Sequence, residues 1–577
     1  EIAKKDDNLD PGKTGAASPV GQFPRRMLAV SIHSYMYTNP LYNGDSGSLD
    51  EAKRTGTDAA VRKLAERWRI PKDQLYHLTD ARTMTEIEAK AKTPAKGKKD
   101  EMVKEEMAKP VAKRVPLKGI VQGTIEQFLA SSRKQDRIVL LFCGHAIEKD
   151  GKAYLVPMEG DLDELDTLIP LDWFHEKLAA CKAQEKVVIY DVCRFHPDRG
   201  AERPHAGPMS EGLEKALHSP ESATVLTTCS KGEQAYESDY AYSKTMNISA
   251  SGSLFLGLFP NASAANALGP VGKLAEQGDE LPVERLAAYM GEKLPPFSKI
   301  VVGGEKTQTP KLSLRRPATG IAYNGTESSP ARFEFPPMPP SADRRLVLGI
   351  LKDIELPAIK TLRKDALPPT ISDVLPFKEE VLAPYAEGAL AKGDKPNEFQ
   401  KAIMDAVEKM KQLRESGSGN ELPEEFRGQT NDAAKAALKK AQALPATIES
   451  DLTDMLEALI NLEELKKDQT KRWQAHYDYV VAQLKLRICY VNQYNLALAN
   501  VRSDKVPDLT TGQNGYRLTA EVTLDKTTPK QYKDLFEEGR KALTELNKSH
   551  PGTPWAALAK SDKALALGLR LTPTTFP

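Results

Sequence analysis

The chain is poor in cysteine: five occur in 577 residues, at irregular spacing and without a CxxC pair. Disulfide frameworks need several regularly placed cysteines, and zinc sites and redox motifs usually contain CxxC pairs. The sequence therefore argues against a disulfide-stabilised scaffold, a zinc-binding module and a thioredoxin-like centre. Any chemistry of cysteine must rest on single residues, which are Cys143, Cys181, Cys193, Cys229 and Cys489.

Excess charge and long apolar runs are also missing. Lysine and arginine number 81 against 80 aspartates and glutamates, so the net charge of +1 provides no global attraction to nucleic acid or an anionic membrane. No apolar run approaches the roughly 18 residues that a bilayer span requires. We therefore expect no nucleic-acid partner and no membrane span. Because the first residue is Glu1 rather than Met, a processed or trimmed leader stays open, and the sequence fits a soluble protein that is either cytoplasmic or exported.

The first folded region is predicted over 25–318. Apolar runs such as "DRIVLLFCGH" and "KVVIYDVC" alternate there with helical patterns such as "LDWFHEKLAACKA". Strands that are apolar throughout and alternate with helices are typical of a mostly parallel sheet with helices on both faces. Residues 1–24 lack periodicity and are predicted to be a flexible N-terminal segment. The Lys-rich stretch 86–114 is predicted to be a solvated insertion in this α/β domain.

The second region is predicted to be all-α. A Pro-rich linker over 319–344 precedes residues 345–577, where apolar residues recur at helical spacing. The last two predicted helices flank "NKSHPGT", which favours a helical hairpin and a tetratricopeptide-like terminus. We expect a protein partner to bind this helical domain. The predicted helices are 345–365, 396–415, 431–443, 472–502, 529–548 and 554–567.

Two strand ends carry residues suited to nucleophilic catalysis. "RIVLLFCGHAIE" ends its apolar run beside His145, and "KVVIYDVCRF" ends at Cys193. In an open parallel sheet the carboxyl ends of the strands line the ligand crevice, so the two side chains can meet there. The thiolate is the nucleophilic form of cysteine, and an imidazole can take the thiol proton and later protonate the leaving amine. The backbone N–H groups of Ala146 and Cys193 are candidate oxyanion donors.

With Cys193 48 positions after His145, the arrangement resembles the caspase-like cysteine peptidase clan, especially bacterial metacaspase-like members of the peptidase C14 family. "FCGHA" and "YDVCR" carry the resemblance, supported by "LAVSIHSYMYTNPL", "GKAYLVP" and "TVLTTCSKGEQAYES". It covers about half of the chain and implies a caspase-like fold and a His145/Cys193 catalytic dyad. Where this family usually has Ser-Gly-His-Gly and a small residue after the nucleophile, this chain has Cys-Gly-His-Ala, Arg194 and Phe195.

The predicted activity is therefore that of a cysteine endopeptidase. The alternative is a catalytically inactive caspase-like scaffold or adaptor that binds protein partners through its groove and helices. Ala146 and Phe195 favour the alternative, because alanine restricts the backbone beside the histidine and Phe195 could crowd the pocket. The retained His145 and Cys193 favour the peptidase.

Two acidic residues are candidates for binding the substrate. Asp191 lies two residues before Cys193 on one strand, so both side chains point to the same side. The family resemblance implies that Asp191 lies in the specificity pocket and that Glu237 is a second pocket acid. Two carboxylates in one cleft favour a bound cation, and a guanidinium can bond to both. We expect a protein or peptide substrate with Arg or Lys before the scissile bond.

The segment 194–222 is predicted to be an exposed loop and a site of self-cleavage. It carries Arg199, Arg203 and Lys215 between Pro and Gly residues. His196 is a competing candidate for the catalytic base because it lies close to Cys193 in sequence, and His33 is a lesser one.

A cofactor is not expected, with one exception to test. The acidic run "EGDLDELDTL" over 159–168 has the carboxylate density of a calcium loop but not its usual pattern, so we interpret it as a solvated loop. Calcium activation through this run is kept as a hypothesis.

Overall fold

The computed structural model of the chain describes most of both predicted regions. The predicted flexible segment 1–24 and the Lys-rich insertion 86–114 lie outside the described residues, as does most of the linker 319–344. The described residues are 25–44, 56–80, 115–262, 283–303, 306–315, 335–337, 342, 344–354, 356, 375–390, 393–412, 422–428, 430–500, 506–510 and 513–576.

A six-stranded, mostly parallel sheet forms the centre of the first region, in the order β12-β9-β7-β3-β1-β2. Five strands are parallel, and the edge strand β12 runs antiparallel to β9. The predicted α/β class with a mostly parallel sheet is confirmed. The strands are β1 (Arg25–Ser31), β2 (Leu75–Thr79), β3 (Arg137–Cys143), β7 (Glu185–Asp191), β9 (Thr224–Thr227) and β12 (Lys311–Ser313).

Helices cover both faces of this sheet, which explains why its strands are apolar throughout. Along β1, Leu28 and Val30 pack into one hydrophobic cluster, whereas Met27 and Ala29 pack into another on the opposite face. The helices of this region are α1 (Thr57–Arg67), α2 (Lys118–Ala130), α3 (Leu171–Ala180), α4 (Glu211–Leu217), α5 (Leu254–Ala262) and α6 (Val283–Val302).

Two small sheets lie next to the strand ends that matter for the site. One is an antiparallel sheet of β4 (His145–Lys149), β5 (Lys152–Val156) and β6 (Ile169–Pro170), which starts at His145. The other consists of β8 (Arg194–Phe195), β10 (Ala235–Ser243) and β11 (Ile248–Ser253), and it starts directly after Cys193.

The C-terminal region is predominantly helical, as predicted. A long helix, α12 (Lys471–Ala499), is buried along most of its length and packs against α11 (Leu444–Ile460), α13 (Lys530–Ser549) and α14 (Pro554–Lys563). The predicted hairpin is present as α13 and α14. The helices are α7 (Arg344–Ile354), α8 (Glu379–Ala386), α9 (Glu398–Gln412), α10 (Asn431–Ala441), α11 (Leu444–Ile460), α12 (Lys471–Ala499), α13 (Lys530–Ser549) and α14 (Pro554–Lys563).

This region also contains a three-stranded antiparallel sheet that the sequence analysis did not predict. Its strands are β13 (Glu425–Arg427), β14 (Gly515–Glu521) and β15 (Gly568–Thr574), with β14 in the centre. One hydrophobic cluster of the first region continues into the C-terminal region through residues such as Tyr479, Leu486 and Trp555. The two regions therefore share part of one core.

Within the part of the chain that the structure describes, none of the helices combines the length and the apolar character needed to cross a bilayer.

Candidate functional site

The strand register brings His145 and Cys193 to the same edge of the sheet. β3 and β7 pair in parallel from Arg137 opposite Glu185 to Cys143 opposite Asp191, a constant offset of 48 residues. His145 lies two residues after Cys143, and Cys193 lies two residues after Asp191, so both follow this last pair by the same distance in sequence. The backbone N–H of Gly144 donates to the Asp191 carbonyl at 3.0 Å, which holds the two strand ends together. The 48-residue spacing seen in the sequence is thus the register offset of two neighbouring strands.

His145 is held by two hydrogen bonds at the carboxyl end of β3. Its backbone N–H donates to the Tyr35 hydroxyl at 2.8 Å, and its ring Nε2 lies 2.7 Å from the Asn39 carbonyl oxygen. A carbonyl can only accept, so Nε2 carries the proton. Burial, partly offset by this carbonyl contact, lowers the pKa of His145 from 6.5 to about 3. The ring is therefore neutral near pH 7, with the lone pair on Nδ1.

Nδ1 of His145 is buried and, among the described residues, has no hydrogen-bond partner. A buried acceptor of this kind normally finds a donor. The unpaired Nδ1 is therefore available to a proton from a reacting group.

Gly144 is needed between Cys143 and His145 because the Tyr35 hydroxyl comes so close. A Cβ atom on Gly144 would lie 2.4 Å from that oxygen, nearer than real Cβ contacts allow. The same hydroxyl accepts the hydrogen bond from the His145 backbone N–H, so a glycine at position 144 leaves the space that this hydrogen bond requires.

Cys193 lies in a strained turn at the end of β7. Its φ of 60° is in the left-handed region, which a residue other than glycine, asparagine or aspartate rarely adopts. Such conformations persist where the surroundings enforce them, and they occur often at functional sites. The carbonyl of Cys193 accepts a hydrogen bond from Ala235 at 3.0 Å, and its side chain is buried. The turn ends β7 and changes the direction of the backbone between Cys193 and the next strand, β8.

A second thiol lies beside Cys193 on the neighbouring strand end. Cys229 is buried, and its Sγ lies 3.6 Å from the Val192 carbonyl oxygen. Contact with Cys193, together with burial, raises the pKa of the Cys229 thiol well above its usual value. Cys229 is therefore a protonated, packed thiol near neutral pH.

The two predicted pocket acids are brought together, and an arginine of the chain itself lies between them. The Arg194 guanidinium lies 3.7 Å from Asp191 through Nε and 3.6 Å from Glu237 through Nη2. All three side chains are 0% exposed. Burial alone would lower the pKa of Arg194, but the negative charges of Glu237 and Asp191 outweigh it and raise that pKa.

Neutral groups complete the surroundings of these charges. The Thr228 hydroxyl donates to Asp191 at 2.8 Å, and the Tyr42 backbone N–H donates to Glu237. Arg194 Nη2 donates to the Tyr42 carbonyl at 3.1 Å. The loop after β1 thus contacts both Glu237 and Arg194 through the backbone of Tyr42.

Phe195 does not occupy this pocket. Arg194 and Phe195 form β8, which pairs with Ala235 and Tyr236 of β10, so their side chains point to opposite sides. The Phe195 ring packs 5.4 Å from the ring of His205. The residue that fills the pocket is Arg194, which the sequence analysis noted only as a departure from the family pattern.

The other candidate bases are engaged elsewhere. His196 Nε2 lies 2.9 Å from Asp239, and His33 Nδ1 lies 3.0 Å from Asp80. Ala146, a candidate oxyanion donor, is buried in β4 next to His145 and stands opposite Leu155 of β5.

The prediction of an exposed loop after Cys193 is wrong at Arg199 and Arg203, which are both buried. Strand β14 of the C-terminal region lies against this loop: the Ala520 N–H donates to the Arg199 carbonyl at 3.2 Å, and the Ala201 N–H donates to the Ala520 carbonyl at 3.3 Å. Lys215 is exposed, on helix α4. The helical region shields the part of the segment that the sequence predicted to be accessible.

Asn39 joins this loop to the histidine and was missed by the sequence analysis. Its side-chain oxygen accepts from the Glu202 N–H at 2.8 Å and the Arg203 N–H at 3.3 Å, while its carbonyl contacts His145. The stretch "SYMYTNPL" supplied a signal, since polar residues follow the first strand at the same sheet edge. The contact partners of Asn39 lie 106 or more residues away in sequence, which no local pattern reveals.

The acidic run over 159–168 forms ion pairs with a lysine of the C-terminal region. Lys560 of α14 lies 3.1 Å from Asp161 and 2.7 Å from Glu164. Over the described ranges, the structure contains no group of three or more His, Cys, Asp or Glu side chains placed to hold a metal ion. This contact is a further link between the C-terminal region and the first region.

The lowered pKa of His145 predicts an acid-sensitive fold. The pKa is about 3 in the folded chain against 6.5 when unfolded, so below about pH 6.5 the unfolded chain binds the extra proton and stability falls as the pH falls. Between pH 7 and pH 5 this residue should remove about 2 kcal/mol of unfolding free energy. Urea unfolding of the wild type and of His145→Gln at both pH values measures the difference. Identical pH dependence in the two proteins would refute a buried, neutral His145.

The fold and the site define an α/β chain whose sheet edge carries a buried cysteine and a neutral, buried histidine, with two carboxylates and an arginine beside them. A crystal structure of a Geobacter sulfurreducens protein is similar at a TM-score of 0.26 and 12% identity, covering 50% of this chain and 94% of the other. The Drosophila initiator caspase Dronc is similar at a TM-score of 0.20 and 9% identity, covering 50% and 78%. Both similarities are too distant to identify a family. No family model and no curated protein matches the chain.

Proposed function

We propose that the chain is a caspase-like cysteine endopeptidase in which Cys193 is the nucleophile and His145 the general base. The observation that carries this proposal is the bond from His145 Nε2 to the Asn39 carbonyl at 2.7 Å, which leaves Nδ1 as the free lone pair. The register of β3 and β7 supports it, because it delivers Cys193 to the same sheet edge. A base whose tautomer is fixed by a second partner is the usual arrangement for activating a nucleophile.

The proposed reaction follows from these positions. The Cys193 sulfur attacks the peptide carbonyl carbon while His145 Nδ1 takes the thiol proton. The backbone N–H groups of Ala146 and Cys193 stabilise the tetrahedral oxyanion. Collapse breaks the C–N bond, and the amine leaves with the proton from His145. Water, deprotonated by His145 Nδ1, then attacks the thioester carbonyl; the C–S bond breaks, the sulfur regains the proton as the Cys193 thiol, and the carboxylic acid product leaves, so the proposed reaction uses water and no cofactor.

Asp191 and Glu237 are the proposed binding groups for a basic residue before the scissile bond. Their support is that both carboxylates already face a guanidinium, that of Arg194, in a fully buried place next to the nucleophile. A charged group in such a place needs an opposite charge, so a neutral or acidic side chain would be disfavoured. We therefore propose Arg or Lys at this position of a protein or peptide substrate.

Self-processing is proposed for the segment 194–222 at Lys215. This residue is exposed, whereas Arg199 and Arg203 are buried under the C-terminal region. Lys215 lies within helix α4, whose Leu213 and Leu217 are buried, so cleavage there requires that this helix first unwinds and leaves its place.

A scaffold without catalysis is the second candidate, and the place of Arg194 favours it. An acidic pocket filled by the chain's own arginine leaves the substrate's side chain without a binding site. In that case the C-terminal helices would bind a protein partner while the α/β domain served as a support.

A panel of fluorogenic peptides that differ only in the residue before the reporter group tests the proposal. We expect kcat/KM to be at least tenfold higher for Arg and Lys than for Asp, Gln or Leu, since one desolvated charge contact contributes about 1.4 kcal/mol or more. Equal rates for Asp and Arg would refute the pocket. No hydrolysis of any peptide, with Cys193→Ala as the blank, would favour the scaffold.

A further inference from the structure

The contacts of Arg194 with its two carboxylates are electrostatically favourable but incomplete. At 3.7 and 3.6 Å the nitrogen–oxygen distances exceed those of charge-assisted hydrogen bonds. Among the described residues, Nε and Nη1 of Arg194, Oδ2 of Asp191 and Oε1 of Glu237 are buried without a hydrogen-bond partner. Buried charges lose solvation that only well-formed hydrogen bonds compensate. The pocket therefore holds a guanidinium, but N–H donors of Arg194 and an oxygen of each carboxylate form no hydrogen bond within the described part of the chain.

The position of Arg194 in the chain allows its side chain to leave the pocket. It directly follows the left-handed turn at Cys193, and it opens β8, a strand of two residues with two paired partners on β10. A ladder this short contributes few hydrogen bonds, so the segment can rearrange at lower cost than a long strand. The turn at Cys193 is itself strained, which lowers that cost further.

We propose that Arg194 determines the specificity of the site by occupying the place of the substrate's basic side chain. The inference rests on the proposed function, because it assigns Asp191 and Glu237 to substrate binding. With Arg194 between the carboxylates, the resting chain is closed to arginine and lysine side chains. Displacement of Arg194 opens it, and the incoming guanidinium then takes over both carboxylates.

The first test measures binding and does not depend on catalysis. N-acetyl-arginine amide and its uncharged isostere N-acetyl-citrulline amide are added to the wild type and to Arg194→Ala, and thermal unfolding is followed. We expect the arginine amide to raise the Tm of Arg194→Ala by about 3 °C and the citrulline amide to have no effect. The wild type, in which the arginine amide must first displace Arg194, should respond more weakly to it and not at all to the citrulline amide. Equal responses to the two amides, or a wild type that responds as strongly as the variant, would overturn the proposal.

The second test separates specificity from structural support. For Arg194→Ala, KM for the peptidyl-arginine reporter should fall at least tenfold, and the ratio of kcat/KM for the peptidyl-arginine reporter to that for a peptidyl-glutamine reporter should rise at least tenfold. A merely structural role would lower the rates for both reporters alike. If neither protein hydrolyses any reporter, the proposed function fails, and the melting experiment still decides whether Arg194 excludes a guanidinium.

Arg194→Ala leaves two buried carboxylates without a counter-charge, so a third experiment covers the case in which the variant does not fold unaided. Refolding of Arg194→Ala is then compared with and without each amide. We expect folded protein to be recovered with the arginine amide and not with the citrulline amide. Equal recovery with both, or recovery with neither, would contradict an exchangeable guanidinium site.

Discussion

Replacing Cys193 with alanine should lower the hydrolysis of a peptidyl-arginine reporter by at least about a thousandfold, to the background rate. The substitution removes the atom that forms the thioester and leaves the base His145 and the pocket in place. The side chain of Cys193 is small and buried, and alanine shares its unfavourable preference at a φ of 60°. The fold should therefore be retained, which circular dichroism and the unfolding midpoint can show.

Cys229→Ala is the matched control for this loss. Cys229 is also buried, on the neighbouring strand end, and its thiol contacts the Val192 carbonyl and Cys193. We expect the variant to stay within tenfold of the wild-type rate, since Cys229 is a packing residue in this account. A thousandfold loss in Cys229→Ala with little loss in Cys193→Ala would exchange the roles of the two thiols and contradict the assignment.

Gly200→Ala should separate the C-terminal region from the loop that follows Cys193. Gly200 has a φ of 68°, and an added Cβ would lie 2.3 Å from the Ala520 carbonyl oxygen of β14. The overlap with backbone cannot relax without moving β14, so we expect a destabilisation of about 3 kcal/mol. Arg199 and Arg203, which are buried beneath this contact, should become cleavable by trypsin. Urea unfolding and limited proteolysis with mass spectrometry measure both effects.

Gly207→Ala supplies the control in the same segment. Its φ of 72° matches that of Gly200, but a Cβ there would meet nothing within 4 Å. The cost should be that of the left-handed backbone alone, about 1–2 kcal/mol, with Arg199 and Arg203 still protected. If the two variants were equally destabilised and equally resistant to trypsin, the C-terminal region would not be what covers this loop.

The parallel sheet, and the position of His145 and Cys193 at one edge of it, could be predicted from the sequence for a physical reason. Strands that are apolar throughout belong to parallel sheets, and parallel strands end at one edge. A histidine and a cysteine that each follow such a strand must then lie at that edge, and in this sheet the two strands are neighbours. The constant 48-residue offset of β3 and β7 is the structural expression of that rule.

The occupant of the pocket could not be predicted in the same way. A sequence shows that Arg194 follows Cys193, but the turn at Cys193 decides where the arginine side chain points. Once β8 pairs with β10, strand alternation sends Arg194 and Phe195 to opposite sides. The sequence predicts that Phe195 crowds the pocket, whereas its ring packs against that of His205.

The small C-terminal sheet was missed because its strands lie among strong helical patterns. "YRLTAEV" alternates apolar and polar residues, which is the period expected of a strand. The central strand of this sheet covers the loop at Arg199 through hydrogen bonds of Ala520, which join residues more than 300 positions apart. Contacts of this kind depend on tertiary packing and have no local signature.

The most direct test of the account is covalent labelling by a peptidyl-arginine fluoromethylketone, analysed by intact mass and peptide mapping. The reagent should add once, at Cys193, in the wild type and faster in Arg194→Ala, and a peptidyl-aspartate analogue should add at least tenfold more slowly. His145→Ala should abolish labelling although Cys193 is retained. Absence of an adduct from both proteins, or an adduct on another cysteine, would contradict the assignment of Cys193, His145 and the acidic pocket as a peptidase site.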